Sequence, residues 1–153
     1  MNNLRPQQSR EVSKLLRRRP SGLDRHTAEC FLLRYVFLEA LIRLVGRYYR
    51  ARSTTQKKVV EQDGSLNVEV IKRSLKYFGI LVDERRVDAV LASPKARRGS
   101  NTARVLRNGL VHRWDAGDAE EVAQRFEELD VAMTGLVEAI SDRLSSVSNN
   151  HNV

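Results

Sequence analysis

The chain has 153 residues, 41% of them apolar and 6% aromatic, which suits one domain with a real core and is short for two. A single cysteine, Cys30, excludes an internal disulfide, and the opening MNNLRPQQSR lacks the apolar stretch of a signal peptide, which predicts a cytoplasmic protein. The net charge of +8 is uneven, with 14 Lys and Arg against 4 acids in residues 1–60 and 13 against 15 in 61–153, so the basic half suggests a polyanionic partner. Three prolines, eight glycines and long periodic apolar runs favour helices over short strands, and the predicted class is all-α, a single bundle of about five helices.

Residues 1–22 read as a basic N-terminal arm, in which Ser9 caps a short helix bearing Val12, Leu15 and Leu16 before Pro20 ends it. A helical domain follows over 23–145. Asp24 is the expected N-cap of a long helix from about Arg25 to Arg50. There Phe31, Tyr35, Leu38, Ile42, Val45 and Tyr49 recur at steps of four and three and form a core stripe. Phe37, Leu41, Leu44 and Tyr48 make a second row, and covering it calls for a homodimer. Arg34, Glu39 and Arg43 interrupt the run well short of the roughly 20 apolar residues of a membrane span, so no membrane is expected. Glu39 stands four residues before Arg43, the favourable order for a helix-surface pair. Cys30, inside the apolar run, is expected as a buried thiol.

A polar connection with an Asp63-Gly64 turn leads to a helix that Ser65 is expected to cap, bearing Val70, Ile71, Leu75 and Phe78 and ending at Gly79. Asp83 starts a short helix with Val87, Val90 and Leu91, stopped by Ser93-Pro94. Ser100 or Asn101 is expected to cap the next helix, anchored by Val105, Leu106, Leu110 and Val111. Asp118-Ala119-Glu120-Glu121 reads as a capping box opening one last long helix, with Val122, Phe126, Leu129, Met133, Leu136, Ile140 and Leu144 as its stripe. Its outer face is acidic from Glu120 to Asp130 except at Arg125, and 146–153 reads as a disordered tail. With no metal-ligand spacing and no Gly-rich phosphate loop, neither a metal nor a cofactor is expected.

The chemistry concentrates between Ser93 and Trp114, where Lys95, Arg97, Arg98, Arg104, Arg107 and Arg113 occur without one carboxylate. At its centre is Arg107-Asn108-Gly109-Leu110-Val111-His112. A histidine takes and gives a proton near neutrality, and a guanidinium grips two phosphate oxygens at once, so the pair suits metal-free attack on a phosphodiester. On a regular helix residues five apart stand about 140° apart. Gly109 between them predicts that the helix ends or distorts there; alternatively, the arginine of one subunit works with the histidine of another.

An arginine, a polar residue and a histidine after four intervening positions, in an all-helical chain, resembles the motif of the HEPN ribonucleases. The resemblance implies a HEPN-like helical bundle that dimerises so that two motifs face one groove, and a metal-independent endoribonuclease that cleaves RNA by 2′-OH transesterification, as a toxin or phage-defence effector. It implies His112, Arg107 and Asn108 as catalytic residues and an antitoxin or regulatory protein as a further partner; the acid-free basic cluster itself puts Lys95, Arg97, Arg98, Arg104 and Arg113 on the RNA side, and Trp114 either stacks on a base or packs. Toxins of this kind that are silenced by nucleotide attachment resemble a pattern with tyrosine two residues after the histidine; Trp114 stands there instead. Two rival functions carry their own signals. A non-catalytic module would use the basic side to bind RNA or protein, and a DNA-binding regulator would use the helix pair from Ser65 to Leu91, with Arg85 and Arg86 as its basic contacts.

Overall fold

The computed structural model describes residues 22–52, 67–93, 100–113 and 115–149, with Gln7, Arg10 and Ser13 as isolated helical positions of the arm. The remainder of the arm, Ser65, the loop residues Lys95, Arg97 and Arg98, Trp114 and the side chain of Leu144 fall outside the described residues. The fold is all-α. Among the described residues six helices and no strand occur: α1 (Gly22–Arg52), α2 (Val68–Tyr77), α3 (Glu84–Leu91), α4 (Ala103–Asn108, running into a π-helical turn Gly109–Arg113), α5 (Ala116–Gln124) and α6 (Phe126–Asn149).

The predicted stripe of α1 is the spine of the core, with Phe31, Tyr35, Leu38, Ile42 and Val45 buried. Because its apolar surface faces more than one direction, α1 contacts α2, α4, α5 and α6, while α3 closes the far side against α2, α4 and α6. From α6 come Leu129, Met133, Leu136 and Ile140, and from α5 Ala119 and Val122. The second row of α1 is open to solvent at Phe37 (57%) and Tyr48, joined by Leu33 (74%) and Val36, while Leu41 packs partly against the core. None of the described helices is long and apolar enough to cross a membrane.

Helix ends differ from the sequence reading in a consistent way. Asp83 does cap α3, its Oδ1 accepting from Arg85 N at 2.9 Å, and Gly79 ends α2 with φ +67, the left-handed conformation that costs glycine least. The cap of α2 is Asn67 rather than Ser65, accepting from Glu69 N and Val70 N. The cap of α4 is Thr102 rather than Ser100 or Asn101, because only Thr102 also reaches the Ala92 carbonyl. Asp24 lies within α1, which already runs at Gly22. The expected last helix is two: Asp115 caps α5, and the chain breaks at Arg125 before α6. Arg125 explains the break, since its guanidinium binds the Asn101 carbonyl at 2.8 Å, Glu121 at 2.7 Å and Glu128 at 2.9 Å. The same contacts neutralise much of the acidic face, whose Asp130 is further paired with Arg34. The last helix also continues to Asn149, past the predicted start of the tail. Cys30 is half-exposed rather than buried, with Sγ 3.9 Å from His26 Nε2 one turn earlier.

Candidate functional site

The site is assembled on α4. Thr102, 2% exposed, donates through Oγ1 to Ala92 O at 2.8 Å and accepts from Val105 N, so the end of α3 and the start of α4 are tied together. Ala103, Leu106 and Leu110 are buried and fix the inner face of the helix. Its outer face therefore carries Arg104, Asn108 and His112, at the i, i+4, i+8 spacing that lines one side of a helix.

At Gly109 the helix widens into the π-helical turn Gly109–Arg113. In that register hydrogen bonds run i→i+5 and each residue turns through less than the 100° of an α-helix, but Arg107 precedes the turn and is not brought round beside His112. The expected distortion is present, at the expected residue. The turn begins at a close approach: the Asp118 carboxylate of α5 lies against Gly109, and a Cβ there would collide with it and come within 2.9 Å of the Arg113 guanidinium. Arg113 Nη2 is 3.1 Å from Asp118 Oδ2, which clamps the last turn of the helix to α5. Burial pushes the Asp118 carboxyl above the usual carboxylate range, and the neighbouring Asp115 charge acts the same way against Arg113.

Arg107 points inward from this helix. Its Nη2 is 3.3 Å from Glu39 Oε2, its guanidinium lies over the Tyr35 ring at 5.8 Å, and its Nη1 donates to Asn108 Oδ1 at 2.8 Å. The other Glu39 oxygen accepts from Arg43 Nη2 at 2.7 Å and Nε at 3.0 Å, so one half-buried carboxylate holds two guanidiniums. Arg107 Nε is buried without a hydrogen-bond partner among the described residues. Burial first, and the Glu39 charge second, raise the Tyr35 hydroxyl to about 12.

Ser93, Arg104, Val105, Asn108, His112 and Arg113 line an open cleft of about 390 Å³. The structure therefore brings together Arg104, Asn108, His112 and Arg113. It does not place Arg107 on that lining; Arg107 reaches the cleft through Asn108. The predicted contacts Lys95, Arg97, Arg98 and Trp114 lie outside the described residues. Among the described residues no group of three or more His, Cys, Asp or Glu is placed to hold a metal ion. Three neighbours were missed by sequence reasoning. Glu39 does pair with Arg43, but it also binds Arg107, 68 positions away; the signal was an acid lodged between the core residues Leu38 and Ile42. Tyr35 read as plain core and Asp118 as a cap, and neither assignment hints at the contact with the motif.

A cleft bearing one imidazole, two guanidiniums and a side-chain amide can bind a phosphate diester and move a proton beside it. No protein-family model, no curated protein and no solved structure matches the chain.

Proposed function

We propose that the protein is a HEPN-like, metal-independent endoribonuclease. The observation that carries this reading is the shared cleft of His112, Asn108, Arg104 and Arg113, which the α-helix and the π-helical turn that follows it line together. Arg104 and Arg113 hold the phosphate oxygens, and Asn108, kept in place by Arg107, orients the scissile group. The 2′-oxygen bonds to phosphorus as the bond to the 5′-oxygen breaks, His112 relaying a proton between the two oxygens. The exposed row on α1 supports a homodimer, and a toxin or defence effector held by a protein partner is the setting this chemistry suits.

The experiment is incubation with structured RNA in EDTA, wild type beside His112→Ala and Arg107→Ala. His112→Ala is expected to lower the rate by roughly 10²- to 10⁴-fold and Arg107→Ala, through a misplaced Asn108, by about 10²-fold, with products ending in a 2′,3′-cyclic phosphate. Neutralising Lys95, Arg97 and Arg98 should weaken binding and flatten its salt dependence with little change at saturating RNA. Wild-type activity in His112→Ala, or arrest by chelation alone, refutes the assignment.

One observation favours the non-catalytic RNA- or protein-binding module as a second reading: Arg107 is engaged by Glu39 instead of the cleft. The DNA-binding reading loses support, because Arg86 is laid against Gly135 of α6 and the outer side of α3 presents Glu84 and Asp88 to Lys72.

A further inference from the structure

Away from the His112 cleft, the C-terminal turns of α1 meet the end of α2 at a group of rings. Tyr77 packs edge-on to Tyr49, with centroids 5.3 Å apart at 66°, and to Phe78, at 5.1 Å and 89°. Two neighbours thus fix its plane, yet Tyr77 is 55% exposed. A large ring held rigid at the surface loses little rotamer entropy on contact, and nothing in the core requires it there.

Among the described residues, cations outnumber acids on the two helix ends beside it. From Ala40 to Arg52 the sequence has Arg43, Arg47, Arg50 and Arg52 and no acid; from Val70 to Val82 it has Lys72, Arg73 and Lys76 and again none. Arg73 stands one turn before Tyr77 on the same side of α2, and Arg73, Lys76 and Arg47 are all exposed. Of the carboxylates on α2 and α3, Glu69, Glu84 and Asp88 lie within 4 Å of Lys72, and Asp83 caps α3. Exposed aromatic faces set among cations are what a flexible polyanion with flat bases requires, whereas a folded protein surface would need matching acids and a larger apolar area.

We propose that Tyr77, backed by Tyr49 and Phe78 and flanked by Arg73 and Lys76, is a stacking platform for single-stranded RNA, separate from the His112 cleft. A base lies on the exposed Tyr77 face while Arg73 and Lys76 take the adjoining phosphates. Glu39, whose carboxylate holds Arg107, stands ten residues before Tyr49 on α1, a rise of about 15 Å along that helix. The platform extends the proposed cleavage function, and its binding step stands without it.

The test uses the His112→Ala chain, which leaves RNA uncut, and an oligouridylate of about fifteen nucleotides carrying one 2-aminopurine, within the footprint of a single-strand-binding domain. Stacking on Tyr77 quenches the 2-aminopurine. Tyr77→Ala is expected to weaken binding about 10- to 100-fold and abolish the quench, Tyr77→Phe to retain both, and Arg73→Ala with Lys76→Ala to weaken binding and lower its salt dependence. In a cleaving chain, Tyr77→Ala should raise KM for the long strand and leave a dinucleotide, too short to bridge the two places, unaffected. Parental affinity in a folded Tyr77→Ala chain, a Tyr77→Phe chain as weak as the alanine one, or no binding by the parent overturns the proposal. Binding through Tyr77 by a chain that never cuts RNA upholds the platform and removes the cleavage reading.

Discussion

Gly109→Ala separates what holds the π-helical turn from what holds the fold. The added Cβ meets the Asp118 carboxylate, so Asp118 must swing away and release Arg113. Overpacking of a rigid core costs about 1–3 kcal/mol, but here the obstacle is the end of a side chain. Arg113 is 62% exposed but Asp118 only 13%, so solvent screens one side of the pair and its loss costs about 1 kcal/mol. Alanine in place of glycine in a helix returns roughly 0.5–1 kcal/mol. These terms nearly cancel, and Tm should move by no more than about 4 °C in a domain of this size. Freed of the Asp118 clamp, Arg113 and the last turn should shift against the rest of the cleft lining, with a rate loss on the scale of a misplaced proton-transfer group, about 10²-fold or more. Calorimetry and single-turnover cleavage of end-labelled RNA measure the two effects. A full rate at unchanged Tm would refute the link between the turn and the chemistry, and a Tm drop beyond about 10 °C would refute the cancellation.

Glu39→Ala removes the carboxylate that holds Arg107, whose side chain is 26% exposed, and should cost about 1–3 kcal/mol in urea unfolding; a change under about 0.5 kcal/mol would mean that Arg107 finds another partner. Tyr35, 1% exposed, keeps its proton to about pH 12 when folded and to about 10 when unfolded, so its contribution is complete below pH 10 and disappears as pH rises through 12. Two pK units correspond to roughly 3 kcal/mol, so Tyr35→Phe should flatten the fall in stability across that window, and parallel curves for the two chains would contradict the burial account. Charge on the exposed α1 row, Leu33→Asp with Phe37→Asp, should leave a monomer by light scattering where the parent is a dimer; a parent that is already monomeric and active removes the shared-groove arrangement.

Core positions of α1 and α6 could be read from the sequence because a stripe at steps of three and four has only one way to face inward. Caps could not, since several competent side chains stand within a few residues of each start. Thr102 prevails over Ser100 and Asn101 through its bond to Ala92, and Asn101 is instead committed to Glu121 at 2.7 Å; both partners come from other helices. Arg125 looked like a stray cation on an acidic face until its three acceptors came from α5, α6 and the residue before Thr102. Within the site, the distortion at Gly109 was legible from the glycine and the five-residue spacing. The inward turn of Arg107 was not, because Glu39 and Tyr35 meet it only after α1 and α4 have packed.

That dependence of α1 on distant partners has a temporal side. The Arg34 to Asp130 pair spans 96 positions, and α5 and α6, which cover α1, are the last helices made. At about 5–20 residues per second, a ribosome takes roughly 5–20 s to travel that distance. Throughout that interval Phe31, Leu38 and Ile42 have no α5 or α6 against them, and the Leu33 and Phe37 row is exposed as well. Nascent chains halted before residue 116 should therefore be cut by protease within α1, and chains released after α6 should resist; early protection of α1 would mean that α2 to α4 suffice to shelter it.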